Sequence, residues 1–303
     1  MNTSIRTNTI LLLLLAALTV LAPYRADAAM TLPMSPAMTV RADLSEQGYL
    51  LWQRLNEARA NPRAAMTRLR IPEATVRAAL GQDGWLLDQG LPPLAWSEQI
   101  RSAANGHGRD MLDHLFYSHV SPDGRTLVAR LMAAGYEPLL ENETLAALVF
   151  SNPVTMDAAI EALCDNMLRD ELTGTPGVAR NIFSPNCSEV GLALQAESVA
   201  LLAGRPYVYL LVVDFSQPVR PRNFVVGRAE AGTSLVLRSR ITGLWDEVLV
   251  LAGGIFQFPL SGWGEELFYW NTAAPDYVNT ASTLDLAIGR NHSLDLRQRA
   301  VAP

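Results

Sequence analysis

Four histidines, His107, His114, His119 and His292, are the side chains here best placed by pKa for acid–base or metal chemistry near neutral pH. His119 stands out. It follows Leu115-Phe116-Tyr117-Ser118 and precedes Ser121-Pro122-Asp123-Gly124, so a helical pattern ends in a turn around it. Two aromatics anchor the backbone, and an imidazole at such a loop mouth can face a cleft yet stay fixed. His107 falls inside an apolar stripe and reads as a packed, hydrogen-bonded core histidine. His114 lies near the helix end, where the dipole favours a cation. A metal set of His107, His114 and His119 is excluded, because the outer two lie about 15 Å or more apart on a helix rising ~1.5 Å per residue. His292, in Asn291-His292-Ser293, reads as a turn residue. Ser118 adjoins His119, but chain neighbours rarely bond as nucleophile and base, and no Gly-x-Ser-x-Gly elbow occurs. Ser121 and Ser188 have no feature that marks a nucleophile.

The two cysteines, Cys164 and Cys187, are expected to form a disulfide if the chain is exported. It would close a loop of about 23 residues, worth ~3 kcal/mol on the chain-entropy account. Two buried thiols are the alternative. Neither arrangement makes a zinc site.

The elements that must position His119 are legible around it. Ile100, Ala103, Ala104, His107 and Met111 repeat at helical spacing, with Ser97-Glu98 as the cap. An earlier helix starts near Ser45, carries Leu51, Trp52 and Leu55 on one face, and stops at Asn61-Pro62. Shorter helical patterns cover 72–80 and 124–134, and an amphipathic helix covers 157–172 with Ile160, Leu163, Cys164, Met167 and Leu168 inward. Residues 189–195 and 207–215 are β-rich, the second continuous enough to be a buried central strand. Helices first and a sheet late predict an α+β sandwich over 45–217. Residues 216–222, with two prolines, read as a linker. Beyond it, short strands at 223–226, 234–238, 247–251, 255–260, 267–270 and 293–296 predict a small all-β sandwich over 223–303, Ig-like or prealbumin-like by analogy.

Composition narrows the function classes. The formal charge is −6, and residues 1–28 carry Arg6, Arg25 and Asp27, net +1, which leaves −7 on the rest. Nucleic acid and anionic membrane surfaces both select clustered Lys and Arg, and no basic run exists. Residues 1–28 read as a secretory signal: Arg6, an apolar run over 10–22 broken by Pro23, then Ala26-Asp27-Ala28 as a cleavage site. That run is shorter than the ~20 residues that span a bilayer. Cleavage would leave no transmembrane anchor, and an uncleaved anchor is the alternative. Residues 29–44 are a Pro/Met-rich lead. The expected location is secreted or periplasmic.

A set of short motifs in order resembles the CAP superfamily (cysteine-rich secretory proteins, antigen 5, pathogenesis-related 1) in its bacterial, SCP-like form. They are Leu55-Asn56-Glu57-Ala58-Arg59, Pro93-Leu94-Ala95-Trp96, His107 to Met111, Phe116-Tyr117-Ser118-His119, Asp123-Gly124-Arg125, Glu141-Asn142, Arg180-Asn181-Ile182 and Glu189-Val190-Gly191. The resemblance implies a three-layer α-β-α sandwich with a cleft lined by two histidines and two acidic residues, where some members bind a divalent metal.

Carried onto this chain, the first histidine is His119 and the first glutamate Glu141, with Glu143 as second choice. The family run is Glu-Asn, an aliphatic residue, then Ala, whereas this chain reads Glu141-Asn142-Glu143-Thr144-Leu145-Ala146. Val178 occupies the second histidine's place, so the site is degenerate and no metal is expected beyond a weak divalent ion at His119 and Glu141. The second acidic position falls near Asp165, Asn166 or Asp170, with the choice among them open. Glu189 matches a strand-entry glutamate, and Asn181 is a further candidate. No cofactor is expected. The expected role is non-enzymatic binding of a lipid, glycan or protein at the cell envelope. A hydrolase with His119 as base and Glu141 as acid or orienting partner is one alternative, and a purely structural module is another.

Overall fold

The computed structural model describes residues 45–174, 180–199, 206–232, 234–239, 245–260, 267–271 and 291–295. The signal-like segment, the N-terminal lead and Val178 lie outside them.

The first half is helical. Helix α1 (Ser45–Ala60) is followed by α2 (Pro62–Arg68), α3 (Glu73–Leu80), a 3-10 turn (Gly81–Trp85) and α4 (Leu86–Gln89). Asn61 caps α2 by accepting from the Ala64 amide, with Pro62 at the first position, where a missing N–H costs nothing. Strand β1 (Ala95–Trp96) leads into α5 (Glu98–His114), capped by the Ser97 hydroxyl at the Ile100 amide. Helix α6 (Leu127–Ala133), strand β2 (Pro138–Phe150), helix α7 (Met156–Thr173) and strands β3 (Glu189–Ser198) and β4 (Tyr207–Pro218) complete this half.

These strands form one sheet in the order β1-β3-β4-β2, with β4 antiparallel to both neighbours and β1 parallel to β3. Strand β4 shows why the layers are three. Side chains alternate across a strand. Tyr209, Leu211, Val213 and Phe215 join one core with Trp52 and Leu55 of α1 and Leu163 and Met167 of α7. Val208, Leu210 and Val212 join the other with Ala104 and Met111 of α5. The sheet is buried on both faces between helical layers, the α-β-α sandwich expected. Strand β2 was not foreseen.

A sheet-rich region follows: β5 (Asn223–Arg228), β6 (Ser234–Ser239), β7 (Trp245–Leu249), β8 (Ile255–Leu260), β9 (Leu267–Asn271) and β10 (His292–Asp295). Among the described residues they form two three-stranded sheets, β10-β5-β8 and β7-β6-β9. Val225, Phe256, Phe258 and Leu294 of the first share a core with Leu235 of the second. His292 corrects one expectation: it lies in strand β10, paired with Val225, and not in a turn.

The disulfide expectation is also corrected. Cys164 and Cys187 are both free and buried. Cys164 faces inward from α7 into the main core, and the Cys187 sulfur instead accepts from the Asn142 amide at 3.6 Å. Burial raises both thiol pKa values, that of Cys164 to about 12, which keeps them protonated.

Candidate functional site

Helix α5 delivers the site. Its face carries Ile100, Ala103, Ala104, His107 and Met111, all buried, and it ends at Leu115, whose φ of 54° lies in the left-handed region. A leucine there is strained by ~1 kcal/mol or more, and the return is a sharp change of direction. Phe116 then packs on the His107 ring at 5.8 Å between centroids, and the loop runs on to His119.

His119 is held from behind and open in front. Its side chain is 64% exposed, and Nδ1–H donates to Glu143 Oε1 at 2.8 Å, which leaves Nε2 facing outward. Glu143 is 3% exposed and receives Arg130 Nη2 on its other oxygen at 2.6 Å. Arg130, 4% exposed, also donates from Nη1 to the His119 carbonyl at 3.0 Å, so one guanidinium fixes both the loop and the carboxylate. His107 stands behind. Its Nε2–H donates to the Ser118 carbonyl at 2.9 Å and lies 3.8 Å from Glu143 Oε2.

The electrostatics follow from this packing. Burial works to raise the Glu143 carboxyl pKa, but the His119 hydrogen bond and Arg130 outweigh it and hold it below its ordinary value. The Glu143 hydrogen bond raises His119 above its usual value against some burial. His107 is lowered by burial and stays neutral. Tyr117 is pushed up to about 12 by burial, with the Glu143 and Asp170 charges adding to the rise.

The partner of His119 is therefore Glu143, and the expectation for Glu141 is corrected. Residues 141 and 143 share a face of β2, but Glu141 is paired with Ser216 across the sheet and its side chain forms no hydrogen bond or ion pair among the described residues. Counted from Glu143, Leu145 and Ala146 supply the aliphatic residue and the alanine at the expected offsets, so no inserted residues are needed. Asp165 leaves the site as well: it bonds Arg68 at 2.5 Å at the surface. Asp170 stands near enough for its charge to act on Tyr117. Asn181 is a clamp, donating from Nδ2 to the Glu143 carbonyl at 3.0 Å and to the Thr144 hydroxyl at 2.9 Å. Glu189 is buried and takes Arg222 at 3.0 Å and 2.6 Å, far from any cleft role.

Sequence reading missed Arg130 and Asp214. Arg130 hid within a short helix pattern. Asp214 left a signal, an acid inside the apolar run Tyr207 to Phe215. Glu171 was also missed: its carboxylate accepts the amides of Asn181, Ile182 and Phe183, a tie for the chain leaving 175–179.

His119 Nδ1 is bonded to Glu143, both Glu143 oxygens are engaged, and the carboxylate is buried behind the ring, so Nε2 is the ligating atom this pair leaves open. Among the described residues no three His, Cys, Asp or Glu side chains converge. What this arrangement offers a ligand is an outward imidazole nitrogen on a ring fixed by Glu143.

Residues 52–200 match the sequence pattern of the cysteine-rich secretory protein family, CAP. Among solved structures, an extracellular protein containing an SCP domain from Bacillus anthracis is similar at 25% identity, covering 42% of this chain and 34% of that one, with a TM-score of 0.29. The chain thus spans about a third of that protein's length. An outer surface protein from Borrelia burgdorferi is similar at 13% identity, covering 58% of this chain and 96% of that one, with a TM-score of 0.35. Superpositions this loose bear on neither mechanism nor location. No curated protein matches the chain.

Proposed function

We propose, from the premise that residues 52–200 make this a protein of the CAP family, that it is exported and binds a lipid, glycan or protein of the cell envelope without turnover. The binding group is His119, held by Glu143. The observation that carries this is the state of Glu143: it is buried, engaged on both oxygens and held ionised, so it is poorly placed to deliver a proton. Its role is to fix an imidazole whose pKa it raises, and a fixed imidazole at a cleft mouth suits a phosphate, carboxylate or hydroxyl on a ligand. Export rests on the signal-like residues 1–28. Among the described residues no helix is long and apolar enough to cross a membrane.

A hydrolase is the second reading, now with Glu143 orienting His119 as base, and the 2.8 Å bond is what favours it. The test is cosedimentation of the mature chain with isolated envelope fragments, wild type beside His119→Ala. Saturable binding, weaker by about tenfold or more in the variant, is the expected result, the worth of one charge-assisted hydrogen bond. Equal binding by both proteins would overturn the proposal; if the variant also melted lower, a structural role for His119 would stand in its place. Turnover of an envelope component that disappears in the variant would establish the hydrolase.

A further inference from the structure

Strand β4 sends Val208, Leu210 and Val212 toward α5, and the next residue in that row is Asp214. The three residues before it in the row are apolar. Asp214 is fully buried, and no donor reaches either carboxylate oxygen among the described residues. Its partner across β2 is Glu143, and its partner across β3 is Gly191, which has no side chain to offer. The polar group within its reach is the Glu143 carboxylate, itself an acceptor. Two buried acceptors that face each other without a donor repel, unless one holds a proton.

We infer that Asp214 is a neutral carboxylic acid whose O–H donates to Glu143, a positioning residue behind the His119–Glu143 pair. The surrounding charges support this. Arg130 from α6 balances one negative charge and is already bonded to Glu143. His107 from α5 is neutral, and His119 in the loop bonds Glu143 from the open side. A second carboxylate would leave a buried negative charge with no partner. Burial and the charge of Glu143 both drive Asp214 well above its ordinary value. The proton sits on Asp214 and not Glu143 because His119, Arg130 and Asp214 all donate to Glu143, which stabilises its ionised form. Glu143 then has a donor on each side and one orientation, and the imidazole inherits it. The inference rests on the proposed function only for what this positioning serves.

The test is carboxyl-carbon NMR of the full mature chain together with the His119 titration midpoint in variants. The Asp214 Cγ resonance should be that of a protonated acid at pH 7. Asp214→Asn keeps a donor in place without the charge and should move the His119 midpoint by less than about 0.3 pH. Asp214→Val removes the donor at similar bulk and should raise that midpoint, because Glu143 then carries its charge unshared. A deprotonated Asp214 at pH 7, a His119 midpoint lowered by about one pH in Asp214→Asn, or identical midpoints in the Asn and Val variants would overturn it. The wild-type resonance decides even if a variant fails to fold. A protonated Asp214 in a protein that binds no envelope fragment would sink the proposed function and leave this assignment standing.

Discussion

Removing Arg130 tests whether the site is built from the inside outward. In Arg130→Met the side chain keeps its length, its apolar stem and a good helix propensity, while the guanidinium goes. What remains is Glu143, 3% exposed, facing a neutral thioether, and a His119 carbonyl without its donor. Breaking a buried ion pair from one side costs about 3–5 kcal/mol, because the surviving charge keeps its desolvation penalty. The orphaned carbonyl adds ~1 kcal/mol, though the two losses overlap. Against a total stability of about 5–15 kcal/mol this is a large fraction.

Urea unfolding followed by tryptophan fluorescence reads it directly. With a slope of roughly 2–3 kcal/mol per molar urea, the midpoint should fall by about 1–2.5 M. The double variant Arg130→Met/Glu143→Gln removes the stranded charge and should recover about 1 kcal/mol or more. A loss below ~1 kcal/mol in Arg130→Met, or no recovery in the double variant, would show that water reaches the pair. Glu143 would then be no fixed anchor for His119.

Acid acts on the fold in two directions: Glu143, with its pKa lowered in the fold, contributes stability above the ordinary value of 4.5 that is lost as pH falls through its folded value, whereas Asp214, raised, contributes stability that grows as pH falls through its folded value toward 3.8. His107, also lowered, adds loss as pH falls below 6.5, whereas His119, raised, contributes below 6.5 and loses that as pH rises through its folded value. Asp214→Asn removes the Asp214 contribution, so calorimetry should show a larger fall in Tm between pH 7 and pH 4 in that variant than in wild type, and an equal or smaller fall would contradict these assignments. Gly191→Ala should cost about 3 kcal/mol or more, because its Cβ would lie 2.0 Å from Arg101 N and 2.4 Å from the Ile100 carbonyl carbon, backbone atoms of α5 that cannot yield. An unchanged urea midpoint would refute that packing. Thiol titration without reductant should find two reactive cysteines in denaturant and almost none in the native protein, where both are buried; a disulfide would leave none in either state.

The scaffold was largely legible because its signals are local. The α5 stripe, the Ser97 cap and the long apolar β4 each announce themselves within a few residues, and each formed as expected. Strand β2 was missed because its start, Pro138-Leu139-Leu140-Glu141-Asn142-Glu143, is rich in charge and has no clean alternation. Once it is a strand, the choice between Glu141 and Glu143 turns on sheet register and on Arg130, both set by tertiary packing. His119 was found because a helix end and two aromatics mark its place. Its partner had two candidate carboxylates at a spacing of two, and the Glu-Asn motif ranked Glu141 first. The cysteines failed in another way: an even count and an exported chain favoured a bond, but inward packing of Cys164 on α7 outweighed that.

The expected linker 216–222 also reads differently in three dimensions. Strand β4 continues to Pro218, and Arg222 turns back to hold both oxygens of buried Glu189. The Gln257 side chain accepts from the Trp96 amide at 2.6 Å and donates to the Trp96 carbonyl at 3.1 Å, closing the free edge of β1 as another strand would. Asn291 accepts from the Phe224 amide and donates to the carbonyls of Pro93 and Ser188, tying β5, β1 and β3 together. Phe224, Val226 and Ile255 bury themselves in the core of the helical half. The two halves are therefore expected to unfold as one. A chain ending at residue 222 would expose the surface those three side chains cover, a loss on the order of 5 kcal/mol, and would leave the Trp96 backbone open at a sheet edge. Its urea midpoint should fall well below that of the full chain. An unchanged midpoint would mean that the seam contributes nothing and that the cleft scaffold stands alone.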